Sequence, residues 1–191
     1  MMTLLVVASA LLFTDEAALR ETFSKEIQAE AAAERVAAVK KLSGAVEEKT
    51  IELLAGSLKD KELTVRKAAV QTLEVSTDGG GVAVKPLGDI LVDKKEDLDL
   101  RLSCAKTLVK SRYKGEVFQI LLQTMSSIES QEVHFHKFGF EVTKLLDAYI
   151  GRSYGADKLT CERWDEWWSN NSGDLKKEDA RQHEEWKKQR K

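Results

Sequence analysis

One string recurs along this chain at nearly regular intervals, and it restricts the available folds more than any total does. Its best copy is Val65-Arg66-Lys67-Ala68-Ala69-Val70-Gln71-Thr72-Leu73. Arg35-Val36-Ala37-Ala38-Val39-Lys40-Lys41-Leu42 precedes it and Arg101-Leu102-Ser103-Cys104-Ala105-Lys106-Thr107-Leu108 follows it, each with Arg first, a small residue three on and Leu seven on. Positions three and seven apart share one helix face. The arginines fall 31 and 35 residues apart, around the period of stacked helical units that cannot bury their apolar faces alone. With a single proline in the chain, little opposes helix. The expectation is an all-α chain, an α-solenoid of about four helix pairs.

Taken in order, residues 1–13 contain the apolar run Leu4 to Phe13, too short for the ~20 residues a membrane helix needs. It reads either as the apolar part of a signal peptide, with Ala8-Ser9-Ala10 as cleavage site, or as a segment covering the end of the array. The compartment, cytoplasmic or exported, stays open. Thr14 is the expected cap of a first helix reaching about Ala29, with Leu19, Phe23 and Ile27 along one stripe. Further helices are expected at about Ala32 to Leu42, Glu47 to Leu58, the central helix ending at Leu73, Val82 to Val92, a helix carrying Arg101, Gly115 to Ser127 and Glu132 to Tyr149. Ser43-Gly44 and the Gly79-Gly80-Gly81 run are breakers. The long turn is placed at Asp93 to Asp99. The array is thus assigned to residues 14–149, a Gly/Trp module to 150–173 and a charged helical or disordered tail to 174–191.

Catalytic and metal-binding patterns find little support. His134 and His136, two apart on one helix, point about 200° apart and cannot share a metal. Gly79 to Gly81 lacks the Lys-Ser/Thr ending of a phosphate loop, and Glu96-Asp97-Leu98-Asp99 lacks the ligand alternation of a calcium loop. Cys104 and Cys161 form no metal or disulfide pattern; Cys104 replaces a small packing residue. Charged residues, 32% of the chain, nearly balance at net −2, which describes solvated helix faces rather than a nucleic-acid binder. No cofactor, metal or nucleic acid is expected, and no enzyme activity.

Leu58-Lys59-Asp60 followed by Val65-Arg66-x-x-Ala69-x-x-x-Leu73 resembles HEAT repeats, particularly the short bacterial type shared with phycobilisome-lyase-like families. The resemblance spans about Asp15 to Tyr149. It implies an armadillo-like stack in which a turn Asp and the Arg opening the second helix form a ladder between neighbouring units. Asp60 and Arg66 match that pattern. The unit of Arg35 has Ala29 where the Asp belongs, and that of Arg101 has an enlarged acidic turn with Asp93 eight residues before the Arg. The tract Gly151 to Asp157 with Trp164-x-x-Trp167-Trp168 is similar to a module that closes some bacterial HEAT arrays, with a longer spacer, Lys158 to Arg163; the three tryptophans share a helix face and are expected to cap the last unit. Beyond it, Lys187, Lys188, Arg190 and Lys191 make a basic end.

The expected function is a non-catalytic, monomeric scaffold that binds a protein or peptide through the concave face lined by the second helix of each pair, with Lys67, Gln71, Lys106 and Lys110 as contact candidates. The resemblance also implies an alternative, a bilin-lyase-like enzyme or accessory subunit. A second alternative is a HEAT-like DNA-binding protein, against which the charge balance argues.

Overall fold

The structure, a computed structural model, describes residues 15–76, 81–128, 133–154 and 160–189; side chains of 133–136 are not described. The apolar run 1–13, the cap expected at Thr14 and the side chains of His134 and His136 therefore lie outside the described residues. Regular structure among those described is helical: α1 Glu16–Glu26, α2 Ala32–Lys41, α3 Glu48–Ser57, α4 Leu63–Glu74, α5 Val84–Val92, α6 Leu98–Leu108, α7 Lys114–Ser126, α8 Val133–Ile150 and α9 Thr160–Lys188. The fold is all-α.

Helix ends follow local chemistry. Asp15 caps α1, accepting from Ala17 N at 3.0 Å and Ala18 N at 3.4 Å. That helix stops at Glu26, short of Ala29. Gly44 turns the chain after α2 with φ of 79°, where a Cβ would be strained. Asp97 caps α6 through Leu100 N at 3.0 Å, so α6 begins inside the segment expected to be turn, which shortens to Asp93 through Asp97.

Each helix packs on its chain neighbour within the pairs α1/α2, α3/α4, α5/α6 and α7/α8. The even-numbered helices also pack in succession, α2 on α4, α4 on α6 and α6 on α8. The odd-numbered ones do so less evenly, with α3 and α5 in little direct contact and α9 packed on α7. One core runs between the rows. The repeat explains it: counting from each Arg, the third, fourth and seventh residues are buried, as Ala38, Val39 and Leu42, then Ala69, Val70 and Leu73, then Cys104, Ala105 and Leu108. In α8 the same register appears as Val142, Thr143 and Leu146, although no Arg announces it. Burial pushes the Cys104 thiol up to about 12, which suits packing rather than reactivity.

Two helix starts are capped from a distance. Neither Glu47 before α3 nor Tyr113 before α7 makes a side-chain cap bond. Glu16 of α1 instead accepts from Val46 N at 2.9 Å and Glu47 N at 3.1 Å. At the other end Asp179 of α9 accepts from Gly115 N at 3.2 Å and Glu116 N at 2.9 Å, satisfying two free donors of the first turn of α7. The approach requires Gly115: a Cβ there would lie 2.7 Å from the Asp179 carboxylate and 3.2 Å from the Leu175 backbone.

The segment on either side of Gly173 is one helix. Helix α9 runs unbroken through Ser172 and Gly173, and the charged tail as far as Asp179 and His183 is packed structure, with the His183 ring edge-on to Tyr113 at 6.5 Å.

Candidate functional site

The arginines that define the repeat are structural. Arg35 is 5% exposed and grips the Asp60 carboxylate with two bonds, Nε to Oδ2 at 2.8 Å and Nη2 to Oδ1 at 2.9 Å, while Nη1 donates to the carbonyls of Ala29 and Glu30. Arg66 repeats this one unit on. Its Nη1 donates to the carbonyls of Asp60 and Lys61, and Nη2 to Glu96 Oε1 at 2.7 Å. Each Arg thus closes its own turn through backbone and ties the next turn through a carboxylate. The Arg66 contact with Asp60 is therefore to its carbonyl, and the acid of the following rung is Glu96, with Asp93 accepting from Lys95 N instead. Hydrogen bonding from Arg35 holds the Asp60 carboxyl below its usual range, and Arg66 does the same for Glu96.

Arg101 differs. It is fully buried, its Nε donates to Leu91 O at 2.8 Å and its guanidinium lies 4.5 Å from the Phe138 ring centroid. Nη1 and Nη2 have no hydrogen-bond partner among the described residues.

The three tryptophans converge on α7. Trp164 is fully buried, edge-on to Phe118 at 5.5 Å and to Tyr154 at 4.7 Å, while Trp168 stacks on Phe118 at 4.9 Å and 17°. Trp167 completes the ring contacts 4.9 Å from Phe118.

Of the residues expected to contact a partner, Lys67, Gln71 and Lys106 stand on even-numbered helices and Lys110 follows the end of α6, and they are not equivalent. Lys67 reaches Asp97 at 3.0 Å and Lys110 reaches Glu74 at 2.7 Å, so both have intramolecular partners. Gln71 and Lys106 are exposed on α4 and α6 without such a pairing among the described residues. They occupy the fifth position after Arg66 and Arg101. In the same register α2 presents Lys40 and α8 presents Lys144, both exposed. Lys40 was legible five residues after Arg35. Lys144 was not, because α8 has lost the Arg that sets the count. One helical turn before this row, at the first position, stand Val36, Lys67, Leu102 and Phe140. Val36 and Leu102 are half-buried, and Phe140 is 46% exposed with the Lys144 ammonium 4.5 Å from its ring centroid.

A cavity of about 480 Å³ lies at the C-terminal ends of α4 and α6, but its polar lining is engaged. Lys110 pairs with Glu74, the Ser76 hydroxyl donates to Thr72 O, that of Thr107 to Ser103 O, and Gln182 donates to Glu178. Among the described residues no group of three or more His, Cys, Asp or Glu is placed to hold a metal ion, and no helix is long and apolar enough to cross a membrane. Glu96 and Asp97 are occupied by Arg66 and Lys67. Comparison with protein-family models, with curated proteins and with solved structures found no match.

Proposed function

We propose that this chain is a non-catalytic scaffold: a right-handed α-solenoid of four helix pairs, of HEAT type, closed at one end by the tryptophans of α9, that binds protein on the concave face lined by α2, α4, α6 and α8. The observation carrying this reading is the common register of these four helices. They bury equivalent positions and so expose equivalent positions, which makes one continuous multi-helix surface rather than four unrelated ones. The Arg35–Asp60 and Arg66–Glu96 rungs support the HEAT assignment, since they join successive turns as that architecture requires.

A photo-reactive residue placed at Gln71 or Lys106, compared with one at Glu52 on the odd row, tests the assignment in native extract. A protein crosslinked from the even row alone is the expected result. Equal labelling from Glu52, or none above background from either even position, overturns it.

A further inference from the structure

We infer that the even-row face takes an extended acidic protein segment carrying apolar residues between its carboxylates. This deepens the scaffold assignment and rests on it. The fifth-position row reads Lys40, Gln71, Lys106 and Lys144 across four successive helices, with no acid in it, although the chain as a whole has net charge −2. Two of its members, Lys40 and Lys106, make no ion pair among the described residues. The third lysine, Lys144, lies 3.8 Å from Glu141 and 4.5 Å from the Phe140 ring centroid, with its side chain still more than half exposed. Beside this row the first-position row offers apolar surface at Val36, Leu102 and Phe140, with Lys67 as its remaining member.

Two parallel rows, one cationic and one largely apolar, select a ligand whose charge and apolar groups alternate along its length. Packed helices lie about 8–10 Å apart, and an extended chain advances about 3.3 Å per residue. One helix therefore corresponds to about three residues of a segment crossing the row. Carboxylates meeting Lys40, Lys106 and Lys144 fall at positions about six and then about three residues apart, with a polar uncharged residue tolerated opposite Gln71. Side chains between them reach Leu102 and Phe140. Nucleic acid, also anionic, fits less well, since Asp97 and Glu74 neutralise Lys67 and Lys110, and Phe140 is the one exposed ring on these rows among the described residues.

Fluorescence anisotropy on the full chain tests this with three labelled probes: an extended peptide with Glu at that spacing and Val or Leu between, the same peptide with Glu→Gln, and a single-stranded oligonucleotide. The acidic peptide is expected to bind at least about tenfold more tightly than the Gln peptide, and more weakly as salt rises. Combined Lys40→Glu, Lys106→Glu and Lys144→Glu is expected to weaken it at least about tenfold. Lys49→Glu with Lys59→Glu, away from these rows, leaves it unchanged, and unaltered circular dichroism melts confirm that each variant is folded. Equal binding of the Gln peptide, retention by the triple variant, tighter binding of the oligonucleotide, or no binding of the acidic peptide each overturns the inference. The crosslinking result separates the two claims: a protein captured from the even row that ignores the triple substitution leaves the scaffold standing and removes the acidic partner.

Discussion

At the scale of single residues, the three repeat arginines look alike in sequence and differ in the fold. Arg35 and Arg66 each bind a carboxylate and turn carbonyls, and only Nε of Arg66 has no hydrogen-bond partner among the described residues. Arg101 has lost its water without gaining partners for two of its nitrogens, and burial lowers its pKa from the usual value, with Asp93 opposing the change. An unpaired buried charge is poor stabilisation, and an apolar chain of similar length removes the desolvation penalty while keeping contact with Phe138. Arg101→Met is therefore expected to stay within about 1 kcal/mol of wild type or to exceed it in urea denaturation. Arg35→Met strands the Asp60 carboxylate and is expected to destabilise the fold. A larger loss for Arg101→Met than for Arg35→Met contradicts this account.

At the scale of elements, the rungs between turns and the distal helix caps make two independent predictions. Asp60 and Glu96 have folded-state pKa values below their unfolded ones, so the folded form releases those protons more readily. Their contribution is complete above the ordinary carboxylate pKa of about 4 and disappears as pH falls through the lowered values. The melting temperature is expected to fall with acidification below about pH 4. Asp60→Asn with Glu96→Gln is expected to be less stable at pH 7 and to show a flatter dependence over that interval; parallel curves for wild type and variant refute the assignment. Helix α7 depends on α9 for its N-terminal donors, so Asp179→Ala is expected to cost about 1 kcal/mol. Amide exchange at Gly115 and Glu116 should then rise. Ending the chain at Gly173 should reproduce that local exchange and also release the His183 contact with Tyr113. Unchanged protection at both amides in the shortened chain shows that the cap is unimportant.

At the scale of the whole molecule, the even-numbered helices pack in succession, and a helix at the end of that row lacks one flank and opens more readily. Native-state hydrogen exchange is expected to give the strongest protection in α4 and α6, which are flanked on both sides in the even row, and weaker protection in α1 and α2. Uniform protection from α1 to α8 would instead indicate one indivisible cooperative unit. At the other end of the chain α9 covers α7 with Trp164, Trp167 and Trp168 around Phe118.

The sequence by itself determined the helices, most of their limits and the buried register of three even-numbered ones, because Arg, small residue and Leu at helical spacing are local signals. It also placed Trp164, Trp167 and Trp168 on one face for the same reason. Only the tertiary structure decided which carboxylate meets which Arg, since Asp60 serves Arg35 across 25 residues and Glu96 serves Arg66 across 30. It alone extended the fifth-position row to Lys144, where burial of Val142, Thr143 and Leu146 replaces the lost signature. It alone made the polar tail structural, because α7 lacks a local cap and takes Asp179 from a helix more than 60 residues away. Local spacing fixes which face of a helix is apolar. Which partner satisfies a charge or a bare N–H depends on what packing brings beside it.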